Sequence, residues 1–261
     1  MVLQNIIFPA LQSVIPEDLY FRALNEKVEL FRAAPETLSF HAGGRAAFDT
    51  YFNGITVERW RELCAIENLS LTLEGKGKFI VRFGLHQLGL PHRWLFEHTV
   101  ELEEGAPVSL DLPFWAGLER GLLYMWVEAL EDGYLRGGNV STTQQPVRDA
   151  RMAIVITHFN RKPHLLPALQ KLEAGLKNAP QWKDRVQVIV VDNSQNVTPD
   201  EAGSALVIPN RNLGGAGGFT RGLLYAKDHG FTHCLFMDDD ASCDFEAVCR
   251  AYMLLSYSTE D

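Results

Sequence analysis

From Arg151 onward the sequence alternates short, wholly apolar runs with stretches of helical periodicity, and few folds satisfy that grammar. The runs are Met152–Thr157, Val186–Val191, Ala205–Ile208 and Thr232–Met237. Runs this short and this uniformly apolar belong in strands covered on both faces. After the first run, beyond Pro163, Leu165, Leu169, Leu172 and Leu176 fall on one helical face. Gly175 weakens that helix without abolishing its pattern. Helices are also expected over about Phe219 to Lys227, ended by Gly230, and over Asp244 to Leu255. Strands joined by helices imply a parallel sheet with right-handed crossovers. Ligands of such sheets sit beyond the carboxyl ends of the strands.

Those ends are polar here. The first strand leads into His158-Phe159-Asn160-Arg161 and the second into Asp192-Asn193-Ser194. The third leads into Pro209-Asn210-Arg211-Asn212 and the glycine run Gly214-Gly215-Ala216-Gly217-Gly218. The fourth ends in Asp238-Asp239-Asp240. Three adjacent carboxylates repel unless something positive sits among them, and a divalent cation carrying phosphate oxygens suits that need. The plainer reading is an acidic loop or helix cap. Arg161 suits a diphosphate, or is a solvated arginine. Asp192 suits a ribose or base, or caps its own turn. Asn212, Gly214 and Gly215 let the backbone approach a ligand closely, or serve turns and helix packing. Asp238 and Asp240 are the candidate metal ligands, and Asp239 is read as structural. The glycine run does not match GxGxxG and follows the third strand rather than the first, and GxxxxGK[ST] is absent. A dinucleotide fold and a P-loop are therefore disfavoured.

Residues 1–145 follow a different rule. Alternation recurs in Lys27–Phe31, Leu69–Leu73, Lys78–Phe83, Trp94–Leu102, Val108–Leu112 and Gly121–Ala129. Gly75-Lys76-Gly77 reads as the turn of a hairpin between the second and third of these. Tyr51–Ile55 reads as a turn, and Thr56 as the cap of a short helix with Val57, Trp60 and Leu63 turned inward. Short strands at this spacing predict a β-sandwich or jelly roll. The polar, turn-rich Gly137–Pro146 reads as the linker, giving domains over 1–145 and 146–261. Large aromatics in such a domain belong to its core, and an exposed one offers a platform for a sugar ring. Trp115, between Pro113 and Gly117, is the expected exposed tryptophan.

The chain has 261 residues and a formal net charge of -9, against a nucleic-acid partner. The acidity lies mostly before residue 151, where 13 basic and 20 acidic residues occur. Cys64, Cys234, Cys243 and Cys249 lack CxxC spacing, which argues against zinc or a disulfide framework. No signal-peptide pattern opens the chain, and no apolar run approaches the roughly 20 residues of a membrane helix. A cytoplasmic location is expected.

The strand-end residues together resemble family 2 glycosyltransferases of the GT-A fold. The resemblance is strongest to the polymerising galactofuranosyltransferases of mycobacterial cell-wall synthesis. It rests on Thr157-His158-Phe159-Asn160-Arg161, Asp192, Asn212 with Gly214 to Gly218, and Phe236 to Asp240, in that order and spacing. Tyr51-Phe52-Asn53 followed by Trp60 is similar to the β-rich N-terminal domain of those enzymes. The resemblance implies a β-sandwich or jelly-roll domain followed by an incomplete, Rossmann-like α/β GT-A domain. It implies that Arg161, Asp192, Asn212, Gly214, Gly215 and Asp238 hold a UDP-sugar, and that Asp238 and Asp240 bind Mn²⁺ or Mg²⁺. The implied reaction is inverting transfer of a sugar to a glycan or lipid-linked glycan, at the inner face of the membrane through peripheral contact. In that family the catalytic aspartate and a metal-binding histidine lie well downstream of the acidic triplet. The expectation is therefore an N-terminal part of a longer enzyme, inactive alone and with no catalytic base assigned. Two other readings stand beside it: a non-catalytic carbohydrate-binding or scaffold protein working through the β domain, and a nucleotidyltransferase.

Overall fold

The computed structural model describes every residue except Gln12, Val14, Lys183, Glu260 and Asp261. The chain divides into two compact units, one of residues 1–147 with the segment from Tyr257 on, the other Arg148–Ser256.

The first unit contains β1 (Val2–Ile6), β2 (Arg22–Ala23), β3 (Val28–Phe31), β4 (Thr37–Phe40), β5 (Arg45–Ala47), β6 (Ile55–Thr56), β7 (Ser70–His86), β8 (Arg93–Leu102), β9 (Val108–Asp111), β10 (Leu122–Ala129) and β11 (Gly133–Ser141). All join one 11-stranded sheet of order β2-β5-β10-β7-β11-β4-β3, with β1 on β11, β6 on β10, and β8 and β9 on β7. The sandwich expected of this half is thus a β-rich unit whose strands are continuous through β7. That strand has 17 residues. Its first part pairs antiparallel with β9 and β11, its second with β8 and β10. Leu71, Leu73, Phe79, Val81, Phe83 and Leu85 are buried, so alternation puts one face of β7 in the core from end to end. Each such side chain is worth about 1.5–3 kcal/mol of burial.

Four expectations need correction here. Gly75-Lys76-Gly77 is no hairpin turn but lies inside β7. A Cβ on Gly75 would lie 2.1 Å from the Tyr134 carbonyl oxygen, and one on Gly133 2.4 Å from that of Lys76. The glycines let two backbones approach; they do not reverse the chain. Gly137 to Ser141, expected in the linker, belong to β11, where a Cβ on Gly138 would lie 2.1 Å from the Thr72 oxygen. Trp115 is fully buried, its indole N–H donating to the Ile66 carbonyl at 2.9 Å, while Trp94 is 51 % exposed. The short helix after Tyr51–Ile55 is also altered. It winds as a π-helical turn over Arg59–Leu63 without a side-chain cap, burying Val57 and Trp60 but leaving Leu63 exposed.

The second unit contains β12 (Met152–His158), α1 (Lys162–Asn178), β13 (Val186–Asp192), the short α2 (Pro199–Ala202), β14 (Leu206–Pro209), α3 (Gly214–Asp228), β15 (His233–Asp238) and α4 (Phe245–Tyr257). Its four strands are parallel in the order β14-β13-β12-β15. Residues Met152 to Ile156 are buried without a break, as a strand covered on both faces requires. Ala153, Val155, Ile189, Val191, Ile208 and Ala226 form one core cluster. Helix α3 begins at Gly214 rather than at Phe219, so the glycine run is its first turn. Gly218, Gly222 and Ala226 are its buried residues, spaced to share one helical face. A Cβ on Gly218 would lie 2.2 Å from Thr157 Cγ2, and one on Gly222 2.2 Å from Val155 Cγ1. Those two glycines set how closely α3 lies on β12. Among the described residues, no helix is long and apolar enough to cross a membrane.

Candidate functional site

The parallel register brings the strand ends level. His158 is opposite Asp192, Asp192 opposite Pro209, and Thr157 opposite Asp238. The loops after β12, β13, β14 and β15 therefore leave from one edge of the sheet.

His158 is fully buried and ties three of those loops together. Its Nδ1 lies 2.9 Å from Asp239 Oδ2, and its Nε2 3.2 Å from Asn196 Oδ1. An ionised carboxylate only accepts, so Nδ1–H is the donor to Asp239. The same Asp239 oxygen accepts the Phe159 N–H at 3.1 Å. Asn196 donates to Asn160 Oδ1 at 3.2 Å, and the Asn160 N–H donates to Ser194 Oγ at 2.6 Å.

The three aspartates of the triplet thus have three environments. Asp239 is buried and bonded to His158. Asp240 is half exposed and accepts a hydrogen bond from Arg161, whose Nη1 also lies 3.8 Å from Asp239 Oδ1. Asp238 is exposed, and its carboxylate has no hydrogen bond or ion pair among the described residues.

Asp192 is turned inward and is 1 % exposed. Its Oδ1 accepts the Ser194 N–H at 2.9 Å, and its Oδ2 those of Asn196 and Val197 at 2.8 Å each. These are the bonds of a turn cap, the second of the two roles its sequence position allows. Asn212 is exposed and its Oδ1 accepts the Gly214 N–H at 3.0 Å, leading the chain into α3. Asn193 donates to the Gly214 carbonyl at 3.3 Å and accepts from Asn210 at 2.8 Å, joining the loops after β13 and β14. At Gly214, φ is +72°, a region that favours glycine. No heavy atom lies within 4 Å of a Cβ placed on Gly214 or Gly215. The glycines of α3 therefore divide: Gly218 and Gly222 pack, while Gly214 and Gly215 face open space at a helix N-terminus. Such a terminus presents unpaired N–H groups and favours anions.

Of the residues predicted from sequence, Arg161 and Asp240 are brought into contact. Asp238, Asn212, Gly214 and Gly215 stand exposed at the same sheet edge, and Asp192 lies beneath it. His158, Asn193 and Asn196 carry the network and received no role from sequence. The signal for Asn193 and Asn196 was the Asn-Ser-Gln-Asn run after Asp192, side chains that bond backbone in tight loops. Asp238 and Asp240 offer a divalent cation hard oxygen donors, which fits Mg²⁺ or Mn²⁺ sharing its other positions with water and phosphate. Among the described residues, no group of three or more His, Cys, Asp or Glu side chains is arranged to hold a metal ion.

Residues 153–258 match the model of glycosyl transferase family 2. Galactofuranosyltransferase GlfT2 of Mycolicibacterium smegmatis (strain ATCC 700084 / mc(2)155) is 26 % identical over 240 residues, covering 84 % of this chain and 36 % of that protein. The chain therefore spans about a third of the length of this curated relative. Among solved structures, CsCBM6-3 from Clostridium stercorarium, in complex with cellobiose, is 9 % identical, with 52 % of this chain and 98 % of that chain covered and a TM-score of 0.31. The CBM22-1-CBM22-2 tandem domain of Paenibacillus barcinonensis Xyn10C is 10 % identical, with 55 % and 50 % covered and a TM-score of 0.33. TM-scores of this size do not establish a common fold.

Proposed function

We propose, from the premise that this chain carries a glycosyl transferase family 2 domain and is related to galactofuranosyltransferases, that it forms the donor-binding part of an enzyme transferring a sugar from a UDP-sugar. The α/β unit is read as the beginning of a GT-A domain. One observation carries the proposal. Asp238 stands exposed with an uncommitted carboxylate, at the edge of the sheet where Gly214 and Gly215 leave the start of α3 open.

In this reading Asp238 and Asp240 hold Mn²⁺ or Mg²⁺. When bound, such a cation neutralises the charge that develops on a leaving diphosphate. Arg161 exchanges its bond to Asp240 for a phosphate oxygen, and the first turn of α3 offers N–H groups to the same diphosphate. Asp192 acts by shaping the loop after β13, while Asn212 fixes the entry to α3. His158 and Asp239 hold the loops after β12 and β15 at a fixed spacing. Galactofuranose is the proposed sugar, on the strength of the relative's name alone. The reaction is read as inverting transfer to the hydroxyl of a glycan, lipid-linked and presented at a membrane face. No residue of this chain is assigned as the base.

The test is nucleotide-dependent thermal stabilisation. With MnCl₂ present, UDP is expected to raise the melting temperature more than ADP or GDP does. Equal responses to all three, or none, would contradict the proposal.

A further inference from the structure

The β unit carries a cleft that the donor site does not use. It is a cavity of about 510 Å³ lined by Arg82, Trp94, Leu95, Phe96 and Glu97. That volume lies in the range of small-ligand sites, about 300–1,000 Å³.

The strand pairing builds this cleft deliberately. Phe83 is opposite Phe96, but Gly84 is opposite Trp94, so Leu95 is an extra residue in β8. A bulge of this kind re-aims the side chains beyond it. Without it, Trp94 and Phe96 would share a face. With it, Phe96 packs on Phe83 and Phe114, while Trp94 joins Tyr124 and Trp126. The Trp94 ring is then held from several sides. Trp126 meets it edge-on at 6.0 Å and His92 at 4.5 Å. His92 Nε2 lies 2.6 Å from the Tyr124 hydroxyl, and His86 stacks on Tyr124 at 4.7 Å. Gly84 leaves the room for this, since a Cβ there would lie 2.5 Å from the Tyr124 ring and 2.7 Å from His92 Nε2. Despite this bracing, Trp94 remains half open to solvent. Arg82 lies beside it, its guanidinium 4.6 Å from the centre of the Trp126 ring and 6.0 Å from that of Trp94. Glu97, directly opposite in the ladder, pairs with Arg82 and is itself exposed.

We infer that this cleft is a binding site for a neutral glycan chain, with a sugar ring stacked on Trp94 and its hydroxyls shared between Arg82 and Glu97. A sugar ring has an apolar C–H face and a rim of hydroxyls, and it needs a flat aromatic surface edged by a donor and an acceptor. Trp94 supplies the surface, Arg82 the donors and Glu97 the acceptors. The acidity of residues 1–150, 20 acidic against 13 basic, favours an uncharged chain over a phosphorylated one. This site stands independently of the donor-site reading.

The test is electrophoresis of the chain in native gels containing galactan, xylan or mixed-linkage β-glucan. Retardation is expected in at least one gel, lost in Trp94→Ala and retained in part by Trp94→Phe. Circular dichroism checks that Trp94→Ala is folded; if it is not, Arg82→Met decides by the same loss of retardation. UDP with MnCl₂ is expected to leave the retardation unchanged. Unaltered migration in all three gels overturns the inference, as does undiminished retardation in the folded variants. Release by UDP with MnCl₂ also overturns it, because retardation would then belong to the α/β unit.

Discussion

His158 Nδ1 lies 2.9 Å from Asp239 Oδ2, and this buried pair separates the roles of three consecutive aspartates. The middle carboxylate is committed inward, joining the end of β15 to the end of β12. Its neighbours Asp238, the last residue of β15, and Asp240, in the turn that follows, are left at the surface. A buried acceptor with two donors is costly to remove; an exposed carboxylate without a partner is not.

Asp239→Ala strands both the His158 ring and the Phe159 N–H. Leaving a buried donor unsatisfied costs about 1–3 kcal/mol. Asp238→Ala is expected to change stability by no more than about 0.5 kcal/mol. Urea denaturation of the two variants checks this, and similar midpoints for both would contradict the division of roles.

The glycine run gives a second contrast. Gly218→Ala forces a Cβ against Thr157 and is expected to destabilise the α/β unit by about 1–3 kcal/mol. Gly215→Ala meets no neighbour and gains helix propensity, stabilising by up to about 1 kcal/mol. It is nevertheless expected to weaken UDP binding, because its Cβ fills space a diphosphate needs. Thermal melts paired with UDP titration separate the two effects.

Asp49 makes the β unit acid-sensitive. Burial pushes its carboxyl up, but two hydrogen bonds and the charge of Arg22, with a further bond to His86, bring it below the usual carboxylate value. A carboxyl with a lower pKa folded than unfolded adds its full stability above its unfolded value, about 3.9. That stability is lost as the pH falls through the folded value. Urea midpoints measured from about pH 6 down to about pH 3 should therefore drop at the acid end, and less steeply in Arg22→Met. Parallel profiles would contradict the coupling.

Much of the α/β unit was legible because a doubly covered strand leaves an unbroken apolar run, as Met152 to Ile156 does. The edge position of Arg161, Asp192 and Asp238 followed from strand direction alone. The structural reading of Asp239 between Asp238 and Asp240 was also available from sequence, but its partner was not, because His158 is distant in sequence. Gly75, Gly77 and Gly138 misled for one shared reason. A glycine needed for close approach of two backbones looks, in sequence, like a glycine needed for a turn. The exposure of Trp94 was hidden because the bulge at Leu95 appears only once β8 is paired with β7. Trp115 looked exposed between a proline and a glycine, yet its indole has a buried carbonyl to bond.

The most direct measurement is calorimetric titration of this chain with UDP, with and without MnCl₂, repeated on Asp238→Asn. Binding is expected in the presence of the metal, weakened about tenfold or more, roughly 1.4 kcal/mol, both by its omission and by the substitution. Binding indifferent to metal and to Asp238, or no binding at all, would contradict a donor site at the ends of β12 to β15.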